Sequence, residues 1–77
     1  MTRQELLIEA QGYSDRHPGG GPFHVYLADG NCNSYSILFC IQEAENLDDR
    51  AGVELGHLLL DMSLESREKI YEFLRHG

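Results

Sequence analysis

The first apolar positions of the chain recur at helical spacing: Leu6, Ala10 and Tyr13. Thr2, with Glu5 three residues later, forms a capping box, which is typical of a helix N-terminus. The tract Pro18-Gly19-Gly20-Gly21-Pro22 cannot continue a helix, because its prolines lack an N–H donor and its glycines carry no side-chain preference. We therefore predict a first helix that ends before residue 18.

Two runs rich in β-forming residues follow, FHVYLA at 23–28 and SYSILFCI at 34–41, with DGNCN between them. A two-residue turn would place apolar residues opposite serines, whereas a loop with an odd number of residues pairs apolar with apolar positions. The pattern thus predicts an antiparallel hairpin with this core face: Phe23, Val25, Leu27, Ile37, Phe39 and Ile41. Its reverse face, with Tyr26 and Leu38, is apolar enough to require a covering layer or partner.

Residues 46–62 allow two interpretations. Six apolar residues share one helical arc: Leu47, Ala51, Leu55, Leu58, Leu59 and Met62. Asn46 with Asp49 supplies an N-terminal signal for the same helix. Gly52 and Gly56 each cost a helix about 1 kcal/mol relative to alanine, so residues 52–60 can instead be interpreted as a third strand. We favour the helix.

Ser63 caps a final helix with the apolar face Leu64, Ile70, Tyr71 and Leu74. The pattern as a whole predicts one small α+β domain over residues 1–77. It comprises an N-terminal helix, an antiparallel hairpin or three-stranded meander, and one or two C-terminal helices.

The charge of the chain is strongly acidic, with 13 acidic residues, six basic ones and a net charge of −7. The acidic excess is concentrated between residues 43 and 61, where Arg50 is the one basic residue: Glu43, Glu45, Asp48, Asp49, Glu54 and Asp61. Such a surface repels phosphate backbones and attracts basic partners. We expect a protein partner with a basic surface and no direct binding of nucleic acid.

The compartment is predicted from the cysteines and from the absence of targeting patterns. No run approaches the roughly 18 apolar residues of a membrane span, and the start lacks the basic and apolar regions of a signal peptide. Cys32 and Cys40 on one strand would be about 26 Å apart, beyond the reach of a disulfide. We expect two reduced thiols, a cytoplasmic protein and no membrane contact.

The histidines are the candidates for a cofactor or metal site. His17-Pro18-Gly19-Gly20 resembles the haem-ligand tetrapeptide of the b-type cytochrome haem domain, a family in which a second histidine comes from a facing helix. His57 is the candidate for that second ligand, and Glu54 with His57 has the Glu-x-x-His spacing of di-iron bundles. Because a turn and a solvated helix face explain the same residues, we expect no cofactor or metal.

Catalysis is not predicted. Cys40 and His24 lie close together on the reverse face of the predicted hairpin, but a reactive cysteine requires an electropositive setting that this acidic chain does not provide. No phosphate-binding glycine loop precedes a helix. We therefore expect a protein without enzymatic activity.

The leading hypothesis is a protein-binding module in which the six acidic residues named above meet a basic patch. Its aromatic anchors are Tyr26 and Tyr35 on the hairpin, or alternatively Tyr71 and Phe73 near the end of the chain. In a sharper form the module is an inhibitor that blocks a partner's nucleic-acid-binding surface, acting as a nucleic-acid mimic. Small acidic phage and mobile-element inhibitors, including some anti-CRISPR proteins, act in this way; the analogy is one of size and charge. The alternative is a homodimeric structural or adaptor protein that pairs through the reverse face of the hairpin.

Overall fold

Five α-helices and one 3-10 segment make up most of the protein, whose computed structural model describes residues 2–76. In chain order they are α1 Arg3–Arg16, the 3-10 segment Pro18–Phe23, α2 His24–Asp29, α3 Ser34–Asn46, α4 Arg50–Leu60 and α5 Leu64–His76. None of the residues from 2 to 76 belongs to a β-strand. The predicted α+β class, with its hairpin or three-stranded meander, is therefore wrong.

Helix α3 occupies the place of the second predicted strand. Its N-cap is Asn33, whose side-chain oxygen accepts a hydrogen bond from the Tyr35 N–H at 2.7 Å. The buried positions then follow a helical period: Ser36, Ile37, Cys40, Ile41 and Ala44. The β-branched and aromatic content that favoured a strand is a weak preference, which packing of this face overrides. Phe39, predicted to lie in the core, is consequently on the opposite, exposed side of the helix.

The first predicted strand is divided between the end of the 3-10 segment and the short helix α2. Phe23 and Tyr26, three residues apart, are fully buried, whereas Val25 and Leu27 are only partly buried. Gly30 ends α2 with a φ of 71°, a left-handed conformation that glycine adopts without steric cost. One turn of helix therefore buries the residues that the hairpin would have divided between its two faces.

The other predicted helices are confirmed, and residues 52–60 are helical rather than a third strand. Local caps define where these helices begin. Thr2 accepts from the Glu5 N–H at 3.1 Å, and Ser63 accepts from the Ser66 N–H at 3.3 Å. Asp49 is the N-cap of α4, while Asn46, predicted to help start this helix, is the last residue of α3.

Gly56 explains why α4 contains glycine at its centre. A Cβ at this position would overlap with Cγ1 of Ile41 and lie 3.0 Å from its Cδ1. The backbone of α4 is therefore in direct contact with an α3 side chain. The sequence shows only the helix propensity lost at glycine; the structure shows the close helix contact that glycine permits.

The core is formed by buried side chains from all five helices, the 3-10 segment and the α2–α3 loop: Ala10, Tyr13, Phe23, Tyr26, Cys32, Ile37, Cys40, Ile41, Leu55, Leu59, Ile70 and Leu74. Both cysteines are free. Cys32 lies in the loop before α3 and Cys40 lies within α3, so the separation of about 26 Å that was expected for one extended strand does not hold. Their thiols are nevertheless enclosed by the core.

Arg67 of α5 links three parts of the fold. Its Nε donates to the Leu59 carbonyl at 2.8 Å, and its Nη2 donates to the Leu60 carbonyl at 3.1 Å, both at the C-terminal end of α4. Its Nη1 donates to the Cys32 carbonyl at 3.1 Å and to Ser34 Oγ at 2.9 Å, at the start of α3. The guanidinium thus supplies a donor to the Leu60 carbonyl at the end of α4 and a further donor to the Leu59 carbonyl, which also accepts from the Met62 N–H at 3.2 Å.

Candidate protein-binding surface

The structure divides the predicted acidic residues into two groups. Glu43 and Glu45 in the last turn of α3 are close in sequence to Asp48 and Asp49 in the α3–α4 turn, whereas Glu54 and Asp61 are exposed further along α4. A shallow cleft of about 210 Å³ is present at the α3–α4 turn, lined by Ala44, Glu45, Asp48, Asp49, Arg50 and Val53. The six acidic residues therefore do not form one continuous patch on the surface.

Asp49 has a structural role that the sequence did not reveal. Its Oδ1 accepts from the Gly52 N–H at 3.1 Å, and its Oδ2 accepts from the Tyr13 hydroxyl at 2.6 Å. His17 Nε2 lies 3.3 Å from the same Oδ2. Burial, together with the hydrogen bond to Asp49, raises the pKa of Tyr13 well above its ordinary value. This carboxylate joins α1 to the start of α4, so we assign it to the fold rather than to partner binding.

The two predicted tyrosine anchors lie in different environments. Tyr26 has 0% of its surface exposed, and its hydroxyl donates to the Arg67 carbonyl at 2.7 Å. Burial raises the pKa of this hydroxyl well above the ordinary tyrosine value. Tyr35 is 83% exposed on the first turn of α3. Only Tyr35 is accessible to a partner, and Tyr26 is a core residue.

Two further residues join Tyr35 on the same face of α3. Leu38 is 51% exposed and Phe39 is 48% exposed, and with Tyr35 they have the i, i+3, i+4 spacing of one helix face. Phe39 was predicted to lie in the core, and Leu38 on the reverse face of a hairpin. The helical period of the buried residues Ile37, Cys40, Ile41 and Ala44 would have identified this face. If those residues point into the core, Tyr35, Leu38 and Phe39 point outward.

Acidic residues predominate in the sequence around this face. Between residues 17 and 49 the sequence has five acidic residues and no lysine or arginine. The acidic residues are Asp29, Glu43, Glu45, Asp48 and Asp49. Arg50 follows directly and lines the α3–α4 cleft, and Arg67 donates to Ser34 Oγ at the start of α3. The last turn of α3 contains no basic residue, so its glutamates lie at the negative end of the helix dipole. Negative side chains at the negative end of the dipole destabilise the isolated helix, and a positive charge from a partner would offset this repulsion.

The haem-type tetrapeptide forms the turn between α1 and α2. His17 is the C-cap of α1 and contacts Asp49, while Gly19, Gly20 and Gly21 have positive φ angles within the 3-10 segment. His57 is exposed on α4. No group of three or more His, Cys, Asp or Glu residues between positions 2 and 76 is placed to hold a metal ion.

The residues considered for catalysis are not arranged as a nucleophile and its base. Cys40 is fully buried in α3, and burial raises the pKa of its thiol. His24 is exposed at the start of α2, where its Nδ1 lies 3.2 Å from the Gly21 carbonyl oxygen. Its ring meets the Phe39 ring edge-on, with 6.5 Å between the centroids. His24 therefore borders the exposed face of α3.

Comparison of the chain with models of protein families, with curated proteins and with solved structures finds no match. Within residues 2–76 no helix has the length and apolar character needed to cross a membrane.

Proposed function

We propose that the protein is a non-enzymatic protein-binding module that docks on a basic surface of a partner protein. The observation that carries this proposal is the joint exposure of Tyr35, Leu38 and Phe39 beside an acidic helix end. Grouped exposed apolar side chains are typical of interaction sites, and aromatic residues supply much of the binding energy at protein interfaces.

The acidic residues have a separate part in this proposal. Glu45 and Asp48 are exposed near the α3 face, and their charges would steer a basic partner toward it. Glu54 and Asp61 on α4 add to the negative field at longer range. The cytoplasm is the proposed compartment, because two free thiols suit a reducing environment.

The homodimer alternative was predicted on the reverse face of a hairpin. There is no hairpin within residues 2–76, and Tyr26, a central residue of that face, is buried. The acidic character of the chain also opposes pairing of two identical surfaces. We therefore do not retain that form of self-association.

The experiment is a tagged capture from native lysate at low and high salt, followed by rate measurements on each purified partner. Glu45→Gln combined with Asp48→Asn should slow association by roughly threefold or more at low salt, with the difference lost at high salt. The matched control is Glu65→Gln with Glu68→Gln, an equal charge change on exposed α5 positions.

Each outcome has a defined meaning. A basic partner whose association slows only with the α3 variant supports the proposal, and displacement of the protein by added nucleic acid would identify it as an inhibitor of a nucleic-acid-binding site. Capture of no partner, or equal slowing by the α5 control, would contradict the proposal.

A further inference from the structure

The exposed apolar row on α3 differs from the isolated exposed apolar residues elsewhere. Ile8 on α1 and Leu64 on α5 are also exposed, but single apolar residues at a surface are ordinary. Tyr35, Leu38 and Phe39 are neighbours on one face, and the His24 ring extends this row toward α2 through its edge contact with Phe39. The row therefore forms one continuous surface.

The same face of α3 changes character along its axis. Beyond Phe39 it continues with Gln42, Glu45 and Asn46, all of which are exposed. From Tyr35 to Asn46 the face extends about 16 Å, or three helical turns, at about 1.5 Å per residue. Its N-terminal half is apolar, and its C-terminal half is polar and negative.

The charges identify the kind of partner that suits this face. The α3 helix of a second copy holds no lysine or arginine, so self-pairing in either helix direction would leave Glu45 and Asp48 without a positive partner on that helix. A partner with lysine or arginine beside an apolar stripe complements both halves. Strand addition is disfavoured, because α3 satisfies its backbone groups internally and presents no sheet edge.

We propose that the exposed face of α3 docks an amphipathic, basic α-helix of the partner. Apolar residues of that helix cover Tyr35, Leu38 and Phe39, and its lysines or arginines lie against Glu45 and Asp48. Side chains at i, i+3 and i+4 form a ridge of the kind that packs against a second helix. This inference rests on the proposed function and specifies the partner element.

The test uses a synthetic leucine–lysine peptide that is patterned as an amphipathic helix. Binding is measured by calorimetry, and the contact surface is mapped by NMR shifts of the ¹⁵N-labelled protein. We expect shifts confined to α3, α2 and the α3–α4 turn. Leu38→Ser combined with Phe39→Ser should weaken binding about tenfold or more, because buried anchors carry most of an interface's affinity.

Two controls separate this contact from general attraction of a cationic peptide. The serine substitutions leave the net charge at −7, so purely electrostatic binding would be unchanged by them. Ile8→Ser removes an exposed apolar side chain from α1 and should leave the affinity unaltered. A leucine–lysine peptide of the same composition in scrambled order should bind at least about tenfold more weakly.

The result that overturns the inference is an affinity that the α3 variant does not change, a shift map centred on another element, or no binding of the patterned peptide. A wild-type protein that dimerises through α3 in sedimentation experiments would also overturn it, because the occupant would then be a second copy. Capture of a basic partner together with failure of the peptide would refute the helix but leave the proposed function standing. Capture of no partner would refute the proposed function itself.

Discussion

Gly56→Ala tests the close contact between α3 and α4. Propensity alone predicts a gain of about 1 kcal/mol, because alanine is the better helix former. The structure predicts the opposite, since the new Cβ would overlap with Cγ1 of the buried Ile41. Overpacking of a core typically costs about 1–3 kcal/mol, and two fixed helices with a branched side chain between them place this site near the upper value.

The net expectation is therefore a loss of about 2 kcal/mol in the free energy of unfolding. For a domain of this size, the melting temperature should fall by roughly 8–16 °C. Gly12→Ala is the matched control, because a Cβ there would meet only the Arg16 guanidinium, at an ordinary distance of 3.5 Å. We expect this variant to be more stable than the wild type by about 1 kcal/mol, as its helix propensity predicts. Thermal and urea unfolding followed by circular dichroism measure both variants.

A double-mutant cycle tests whether the loss of stability in Gly56→Ala comes from the contact with Ile41. Ile41→Ala removes the overlapping atoms, so Gly56→Ala in that background should become stabilising by about 1 kcal/mol, which corresponds to a coupling of about 3 kcal/mol. The cycle can be measured in the Gly12→Ala background to keep the variants folded. A Gly56→Ala protein as stable as the wild type would refute the close contact between the helices.

The remaining predictions concern hydrogen bonds, backbone strain and pH. Arg67→Met should lower stability by about 3 kcal/mol in urea unfolding, because it removes four side-chain hydrogen bonds that join α5 to the end of α4 and the start of α3; a loss below about 1 kcal/mol would contradict this role. Asp48→Gly should raise stability by about 1 kcal/mol, because Asp48 has a φ of 56° at the negative end of α3; an unchanged melting temperature would refute this reasoning. Burial raises the pKa of Tyr13 and Tyr26 in the folded protein, so above a pH of about 10 only the unfolded chain loses these protons. Stability should then fall by about 1.4 kcal/mol per pH unit for each tyrosine, and the buried Cys40 thiol, whose pKa is also raised, adds to this slope. Tyr13→Phe should therefore reduce the slope in urea titrations between pH 10 and 12 by about 1.4 kcal/mol per pH unit, which is less than half of the total.

Features of the fold that depend only on residues close in sequence could be predicted. Thr2 and Ser63 cap helices through residues three positions away, so the contact is contained in the local sequence. The helix over α4 was predicted for the same reason, from its apolar arc and Asp49. The hairpin was wrong because residues 23–41 satisfy both periods: Phe23 with Tyr26 and Ile37 with Ile41 share helix faces, yet alternate positions also suit a strand.

The candidate face combines residues that were expected at a partner-binding surface with residues that were not. Glu45, Asp48 and Tyr35 are exposed, as a partner-binding surface requires, while Tyr26 is buried and Asp49 is held by Tyr13. Phe39 was placed in the core and Leu38 on the reverse face of a hairpin, because the direction of an apolar side chain depends on the secondary structure. Assigning the wrong period at 34–41 therefore separated two residues that share one exposed face of α3.

The sequence by itself determined the net charge of −7, the turn at the proline–glycine tract and the helix starts with local caps. These properties follow from composition or from contacts within four residues. Only the tertiary structure decided that residues 24–29 and 34–41 are helical and that α3 exposes an apolar face. The local preferences for helix and strand in that region differ by about 1 kcal/mol or less per residue. Burial of Ile37, Ile41 and Tyr26 among distant helices contributes about 1.5–3 kcal/mol for each large side chain and therefore outweighs them.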